Sequence, residues 1–430
     1  MAAATAAASR LPRVSTRTGS RETLRGGAVI AVAMGVMNVT TYAFTILSAR
    51  LLGPAEYGAL AAVMGLLLVV NVLSLGLQAT GARRVSAAPG DLAVIEREVM
   101  STSYASAVVL GVVVLLAAPV VAETLNLDSW AAPALIAVTA VPLTVMGGQA
   151  GILQGEQRWV PLAAIYLCVG VGRLLFGGVT LVLDPDTVGA MLGVAAGAFL
   201  PVVLGWFVLR HPDRHPHGRA GRTRWHAPRW AAGGVLHEVV HNSHALLAFF
   251  ALSNLDVVVA RSTLSEHQAG LYAGGLILAK AVLFLPQFVV VVAFPSMSRT
   301  ASGRRMHLLG LVLVLAIGAA TVLLTVLLSP LAVVFIGGGE YAALQGRLWA
   351  FAVLGTLLAM IQLLVYNVVA RQHRSMVFVV WAALVVVLCS TPFLGSLTGL
   401  LRVVVSVDSA LFVVLLLTGQ REPRGGGPAQ

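Results

Sequence analysis

The chain has 430 residues, 58% of them apolar and 10% charged, with 28 Lys+Arg against 17 Asp+Glu for a net charge of +11. Soluble domains carry about 25% charged residues, so this composition excludes a soluble enzyme, and it makes an anionic membrane rather than nucleic acid the natural partner of the positive charge. Cys168 and Cys389 lie inside apolar runs and support neither a disulfide framework nor a zinc site, and Lys280, the sole lysine, closes no Gly-rich phosphate loop, so no ATPase is expected within the chain.

Residues 1–25 are basic and rich in small residues, without the apolar core of a signal peptide, and read as a disordered cytoplasmic tail. Beyond them, runs of about 20 mostly apolar residues predict membrane-spanning helices at 26–49, 57–80, 100–122, 132–154, 160–183, 188–209, 236–260, 269–295, 307–336, 344–369, 376–391 and 396–418. The last two are separated only by Thr391-Pro392-Phe393. A segment rich in Arg and His at 210–235 divides the spans six and six and reads as a cytoplasmic linker, with Trp225 and Trp230 at the membrane interface. Residues 419–430 read as a second disordered cytoplasmic tail.

Arginine placement sets the orientation. With the N-terminus inside, every arginine in a tail or connection falls on the cytoplasmic side except Arg50 and Arg261. Both termini are therefore expected in the cytoplasm of a multi-pass protein of the cell membrane.

The two halves repeat. Arg50-Leu51-Leu52-Gly53-Pro54-Ala55-Glu56-Tyr57-Gly58 near the end of the first span matches Arg261-Ser262-Thr263-Leu264-Ser265-Glu266-His267-Gln268-Ala269-Gly270 near the end of the seventh, and Arg158 has a counterpart in Arg374. With six spans in each half, both copies have the same orientation. The expected fold is an all-α polytopic membrane protein of about twelve helices. They form two lobes, 26–209 and 236–418, related by a pseudo-two-fold axis along the membrane normal, with a central cavity between them.

The stretches LSARLLGPAEYGALAAVMGLL and NLDVVVARSTLSEHQAGLYAGGLILAKAVLFLPQFVVVVAFPSMSR resemble the polysaccharide-exporter and oligosaccharide-flippase branch of the multidrug/oligosaccharidyl-lipid/polysaccharide superfamily. The resemblance implies a transporter that moves a polyprenyl-pyrophosphate oligosaccharide from the inner to the outer leaflet by alternating access. No cofactor and no catalytic triad are implied, and the implied partners are the lipid-linked glycan, membrane lipids and polysaccharide-assembly proteins. Lipid II flippases share much of the same pattern.

Such a substrate needs a hydrated cavity with cations to offset its phosphates. A cation at the centre of a span costs about 2.5–3.5 kcal/mol on insertion scales, and the fork of arginine suits phosphate. Arg173 and Lys280 are too deep in their spans to snorkel cheaply and are expected to line the cavity. Arg347 and Arg402 are further candidates, with snorkelling to the outer interface as their alternative. Asp256 and Asp408 are the acidic candidates, either for a coupling proton or sodium ion or for an ion pair with one of the cations. Asn38, Thr41, Tyr42 and Thr45 share one face of the first span, Asn71, Ser74 and Gln78 one face of the second, and Gln362 and Tyr366 one face of the tenth. Of these, Asn38, Tyr42 and Gln78 are expected to contact substrate, with hydrogen bonding between helices as the alternative. His237, His241 and His244, beside Glu238 and Asn242, recur on one helix face at the inner start of the seventh span, at the cytoplasmic interface where polarity costs little; lining a gate, or ligating zinc or sensing pH, are the alternatives.

Three other readings compete. A cation-coupled multidrug exporter for cationic compounds should show an acidic cavity, whereas cations predominate in these spans. A membrane glycan polymerase or glycosyltransferase needs a long outer loop bearing carboxylates, and the outer connections here are short. A non-transporting scaffold is the third.

Overall fold

The computed structural model describes residues 16–210, 235–297, 303–371, 374–393 and 395–419. The expected linker lies outside them but for its ends, as do nearly all of the C-terminal tail and the first fifteen residues. The backbone of 16–25, expected to be disordered, is helical and continuous with the first span.

Every described element is helical. In chain order they are α1 (Thr16–Val70), α2 (Val72–Ala87), α3 (Leu92–Thr124), α4 (Ala131–Gly155), α5 (Trp159–Leu183) and α6 (Thr187–Arg210), then α7 (Val235–Leu252), α8 (Leu255–Thr263), α9 (Glu266–Met297), α10 (Gly303–Leu327), α11 (Ser329–Ile336), α12 (Leu348–Arg371), α13 (Arg374–Ser390) and α14 (Leu397–Gly419), with short 3-10 turns between some of them. Nine described stretches are long and apolar enough to cross a membrane, and the first, Gly26–Ala87, is long enough to cross twice. Counting that stretch as two and adding α9 and α13, the described helices accommodate the twelve expected spans.

Several spans are not single straight helices. α1 holds the whole first span and the start of the second, joined at Gly53, whose φ of 68° and ψ of 175° suit only glycine, followed by Pro54. The seventh span breaks at Ser253–Asn254 into α7 and α8, and the ninth breaks before Ser329-Pro330 into α10 and α11. A 3-10 turn, Gly339–Arg347, occupies what the sequence assigned to the first turn of the tenth span.

α1–α6 form one lobe and α7–α14 the other. Within a lobe small residues let helices approach closely, as membrane packing without a hydrophobic drive requires. A Cβ on Gly172 of α5, for instance, would lie 2.9 Å from the Gly197 carbonyl oxygen of α6. Between lobes, α1 packs on α8 and α9, and α2 packs on α7.

The repeat is visible where the lobes meet. Gly58 and Gly270, equivalent in sequence, touch: a Cβ on Gly58 would lie 2.8 Å from the Gly270 nitrogen, and Gly270 itself abuts the Pro54 carbonyl. Equivalent residues that contact each other lie on the symmetry axis relating them. The paired arginines behave reciprocally. The Arg50 guanidinium donates to the Val334 carbonyl of α11 at 2.8 Å, at the end of the ninth span. Arg261 donates to the Leu125 and Asn126 carbonyls just beyond α3 at 3.0 and 3.2 Å, at the end of the third. Each lobe thus caps the carbonyl end of the other lobe's third helix with a cation, the favourable sign for that end.

Candidate substrate cavity

The face of α1 that carries Asn38, Thr41, Tyr42 and Thr45 forms one wall of a cavity of about 150 Å³ between the lobes. Arg173 enters it from α5 in the same lobe, and Lys280 from α9 in the other. Tyr57, Leu60 and Met64 of α1 and Val257 and Leu276 of the second lobe are among the residues that complete the lining. Both cations and the polar stripe expected from the sequence therefore share one chamber, and no carboxylate lines it among the described residues.

Local structure explains the convergence. Gly170 of α5 sits against Met37 and Thr40 of α1, and Gly177 against Phe44. Arg173, between these two glycine contacts, is held at the α1 face while the apolar neighbours Leu175 and Phe176 remain exposed on the outside. Among the described residues its guanidinium has no hydrogen-bond or ion-pair partner, so its donors are free for a ligand. Among the described residues the Lys280 ammonium makes one hydrogen bond, of 3.0 Å to Asn254 Oδ1.

The acidic candidates lie behind this wall rather than in it. Asp256, 2% exposed, accepts a 3.0 Å hydrogen bond from the Tyr272 hydroxyl and a 2.9 Å bond from the Val257 N–H. Asp408 of α14 is 1% exposed, and both of its carboxylate oxygens are buried without a hydrogen-bond partner. Neither carboxylate forms an ion pair within 4 Å among the described residues. Asp256 and Lys280 nonetheless attract each other electrostatically across more than ion-pair distance.

Three residues named as substrate contacts stand elsewhere. Arg347 ends the 3-10 turn before α12 and is exposed, donating within its own turn to the Ala343 carbonyl. Arg402 is exposed five residues into α14, on a different face from the buried Asp408. Both are near helix starts, where a long cationic side chain reaches the interface at little cost. Gln78 bonds within its own lobe, donating to Gln154 Oε1 at 2.9 Å and to the Tyr166 hydroxyl oxygen at 2.6 Å. Its stripe-mate Ser74 likewise donates to the Leu143 carbonyl of α4 at 2.6 Å. Ser74 and Gln78 of the second span's stripe thus bond between helices, whereas the buried Asn71 Oδ1 has no hydrogen-bond partner among the described residues.

Tyr42 has a double placement. It lines the cavity, and its hydroxyl also donates to the Ile277 carbonyl of α9, so that it ties the lobes together at the chamber wall. Asn254, absent from the sequence-based candidates, is the residue that bonds Lys280 among those described. The side chains of His241, Asn242 and Tyr366 lie outside the described residues, and the described ones hold no cluster suited to a metal ion.

At the end of the bundle that carries most of the arginines, here the basic end, α2 and α7 are locked. Buried Arg84 meets Glu238 of α7 through Nε at 3.0 Å and Nη2 at 2.9 Å, and Glu98 of α3 at 3.3 Å. Arg83 also pairs with Glu238.

Two lobes of six spans around a chamber lined by a cation from each lobe are the architecture of a multi-pass membrane transporter. The polysaccharide biosynthesis protein family matches residues 23–301, and the chain belongs to it. Among solved structures, the chain is similar to the inward-facing conformation of a multidrug resistance MATE family transporter of the MOP superfamily. The identity is 13%, with 92% of this chain and 97% of that one covered, at a TM-score of 0.70. An outward-facing conformation from the same transporter family aligns at 12% identity over 92% and 95% of the two chains, with a TM-score of 0.60. A MATE structure in a bent conformation aligns at 14% over 93% and 94%, with a TM-score of 0.58. These likenesses are of fold. No curated protein matches the sequence significantly.

Proposed function

We propose that this protein carries a lipid-linked glycan of the polyprenyl-pyrophosphate type from the inner to the outer leaflet of the cell membrane, by alternating access of the central chamber. The observation that carries the reading is the joint presence of Arg173 and Lys280, one from each lobe, in a single cavity lined by no carboxylate among the described residues. Such a chamber attracts an anionic headgroup and disfavours a cationic drug. Membership of a polysaccharide biosynthesis family supports a glycan as the cargo. By the arginine bias the basic end is cytoplasmic. Asp408 supports coupling to a proton or cation, since an ionised carboxylate buried without a partner is costly until something binds it.

The volume fits a mechanism in which the lobes must part. Drug-sized ligands occupy pockets of about 300–1,000 Å³, and a chamber of about 150 Å³ is too small for a pyrophosphoryl sugar. The polyprenyl tail stays in the bilayer while the headgroup passes between the lobes.

The test is leaflet transfer of a labelled polyprenyl-pyrophosphate sugar by purified protein in liposomes. Arg173→Ala removes a charge-assisted donor worth about 1.5–3 kcal/mol, so transfer should fall tenfold or more with normal membrane insertion. Arg173→Lys should recover part of the rate if charge dominates and little if the planar fork is needed. Normal transfer by well-folded Arg173→Ala protein would remove Arg173 from the site. Absence of transfer by the unmodified protein, with or without an ion gradient, would overturn the flippase reading.

A further inference from the structure

Lys280 is held by a neutral amide although a carboxylate stands nearby. The seventh span breaks at Ser253–Asn254, and the break takes Asn254 out of helical geometry, with φ −135° and ψ −15°. Its side chain is almost completely buried, at 3% exposure. The amide nitrogen donates to the Phe250 carbonyl at 2.8 Å and to Ser253 Oγ at 3.1 Å, which uses both of its N–H bonds. Only the oxygen is left to face Lys280, and it accepts the ammonium at 3.0 Å. Asp256, two residues further on, is meanwhile held by Tyr272 and the Val257 N–H. Among the described residues Lys280 forms no ion pair, and it lines the chamber that Arg173 also enters.

From this arrangement we propose that Asn254 is a positioning residue that sets the charge selectivity of the chamber: it fixes the Lys280 ammonium at the wall without neutralising it, and so tunes the site for phosphoric anhydrides and other multiply charged phosphoesters. The inference rests on the anionic-substrate reading above. Its physical content is a partition of roles. A dipole orients the cation and adds no negative charge beyond the attraction of Asp256 behind the wall, so the ammonium's remaining donors stay available to the ligand. A carboxylate in the same place would orient it equally well and cancel it.

Asn254→Asp tests this directly, because it preserves size and the acceptor while adding one negative charge. The probe is geranyl pyrophosphate, titrated against the full-length protein in lipid nanodiscs over a range of salt concentrations. The unmodified protein should bind it. Asn254→Asp should bind at least tenfold more weakly at low salt and with a shallower salt dependence, since one attractive charge has gone and screening acts on what remains. A structural role alone makes the opposite forecast, because aspartate is the better acceptor for an ammonium. Asn254→Asp protein that is monodisperse and binds like the unmodified protein overturns the proposal.

Aspartate also loses the donor to the Phe250 carbonyl, so a second variant guards against misfolding. Asn254→Ser stays neutral but is too short to reach Lys280. It should bind about threefold or more weakly while keeping the salt dependence of the unmodified protein, and unchanged affinity overturns the proposal independently of the aspartate variant. If the unmodified protein itself fails to bind geranyl pyrophosphate, the anionic-substrate reading falls together with the role of Asn254. If it binds and the variants bind equally well, only the role of Asn254 falls.

Discussion

A guanidinium in mid-span has two inexpensive solutions, a carboxylate partner or access to water, and Arg173 has no partner among the described residues. Its place on the chamber wall supplies the second solution. Arg402 solves the same problem differently, by exposure close to the start of α14, and the two arginines should respond differently to mutation. Arg402→Gln is expected to leave leaflet transfer within about twofold of the unmodified protein, in contrast to Arg173→Ala, and the same liposome assay checks it. Tyr42→Phe keeps the ring on the chamber wall and deletes one hydrogen bond between lobes, to the Ile277 carbonyl. Its stability should drop by about 0.5–1.5 kcal/mol, read as a lower melting temperature of the purified protein in detergent. At this scale the sequence showed depth well and partners poorly. Arg173 and Lys280 were visible because a cation near the middle of an apolar run is unusual. Asn254 was not, because a neutral amide next to Asp256 has no such signature and its importance arises only from a helix break that brings it to Lys280. Gln78 misled for the converse reason: its periodicity places it on a face, but only packing against Gln154 and Tyr166 shows which neighbour that face meets.

Apolar windows located every span, yet they could not say which spans are straight. Gly53-Pro54 signals a break, and the structure has one there, but helix continues on both sides of it and joins two spans in one element. A Cβ at Gly53 would both impose side-chain strain on a φ of 68° and come 2.8 Å from Glu340 Oε2 of the other lobe. The interruption at Ser253–Asn254 has no Gly or Pro to announce it, and Leu328–Ser329 only a following Pro330. The repeat was more informative. Gly58 and Gly270, matched by sequence alone, prove to be a pair at which the lobes come into backbone contact. That contact makes a prediction at the level of the element. Gly270→Ala places a methyl group against the Pro54 carbonyl, backbone that cannot rotate away, so α1 and α9 must separate at that point. Overpacking of this kind costs about 1–3 kcal/mol. The measurable result is a fall in the melting temperature. Gly310→Ala, whose added methyl group meets nothing within 4 Å, should show no fall and serves as the control.

For the molecule as a whole, contacts between lobes stand at both ends of the bundle. Arg83, Arg84, Glu98 and Glu238 join α2, α3 and α7 at the basic end. At the opposite end Gly58 meets Gly270, and Arg50 and Arg261 cap the carbonyl ends of the other lobe's helices. Transport by alternating access requires that one set break while the other holds, so weakening either set should bias the protein toward opening at that end. A change of about 1.4 kcal/mol shifts such an equilibrium tenfold. Breaking either set should reach that size: loss of the Glu238 charge takes a partner from Arg84, which is 5% exposed, and loss of Arg261, also 5% exposed, takes a charged donor from the Leu125 and Asn126 carbonyls. The experiment replaces Cys168 and Cys389 by alanine, introduces Thr45→Cys on the chamber wall, and follows labelling by a membrane-impermeant thiol reagent applied from one side of oriented proteoliposomes. Glu238→Gln should raise labelling from the basic end about tenfold and leave the other side unchanged. Arg261→Gln should do the reverse. The sidedness is what separates gating from general loosening: a destabilised bundle would label faster from both sides, and labelling that rises from both sides in both variants would show that these contacts hold the fold rather than govern access.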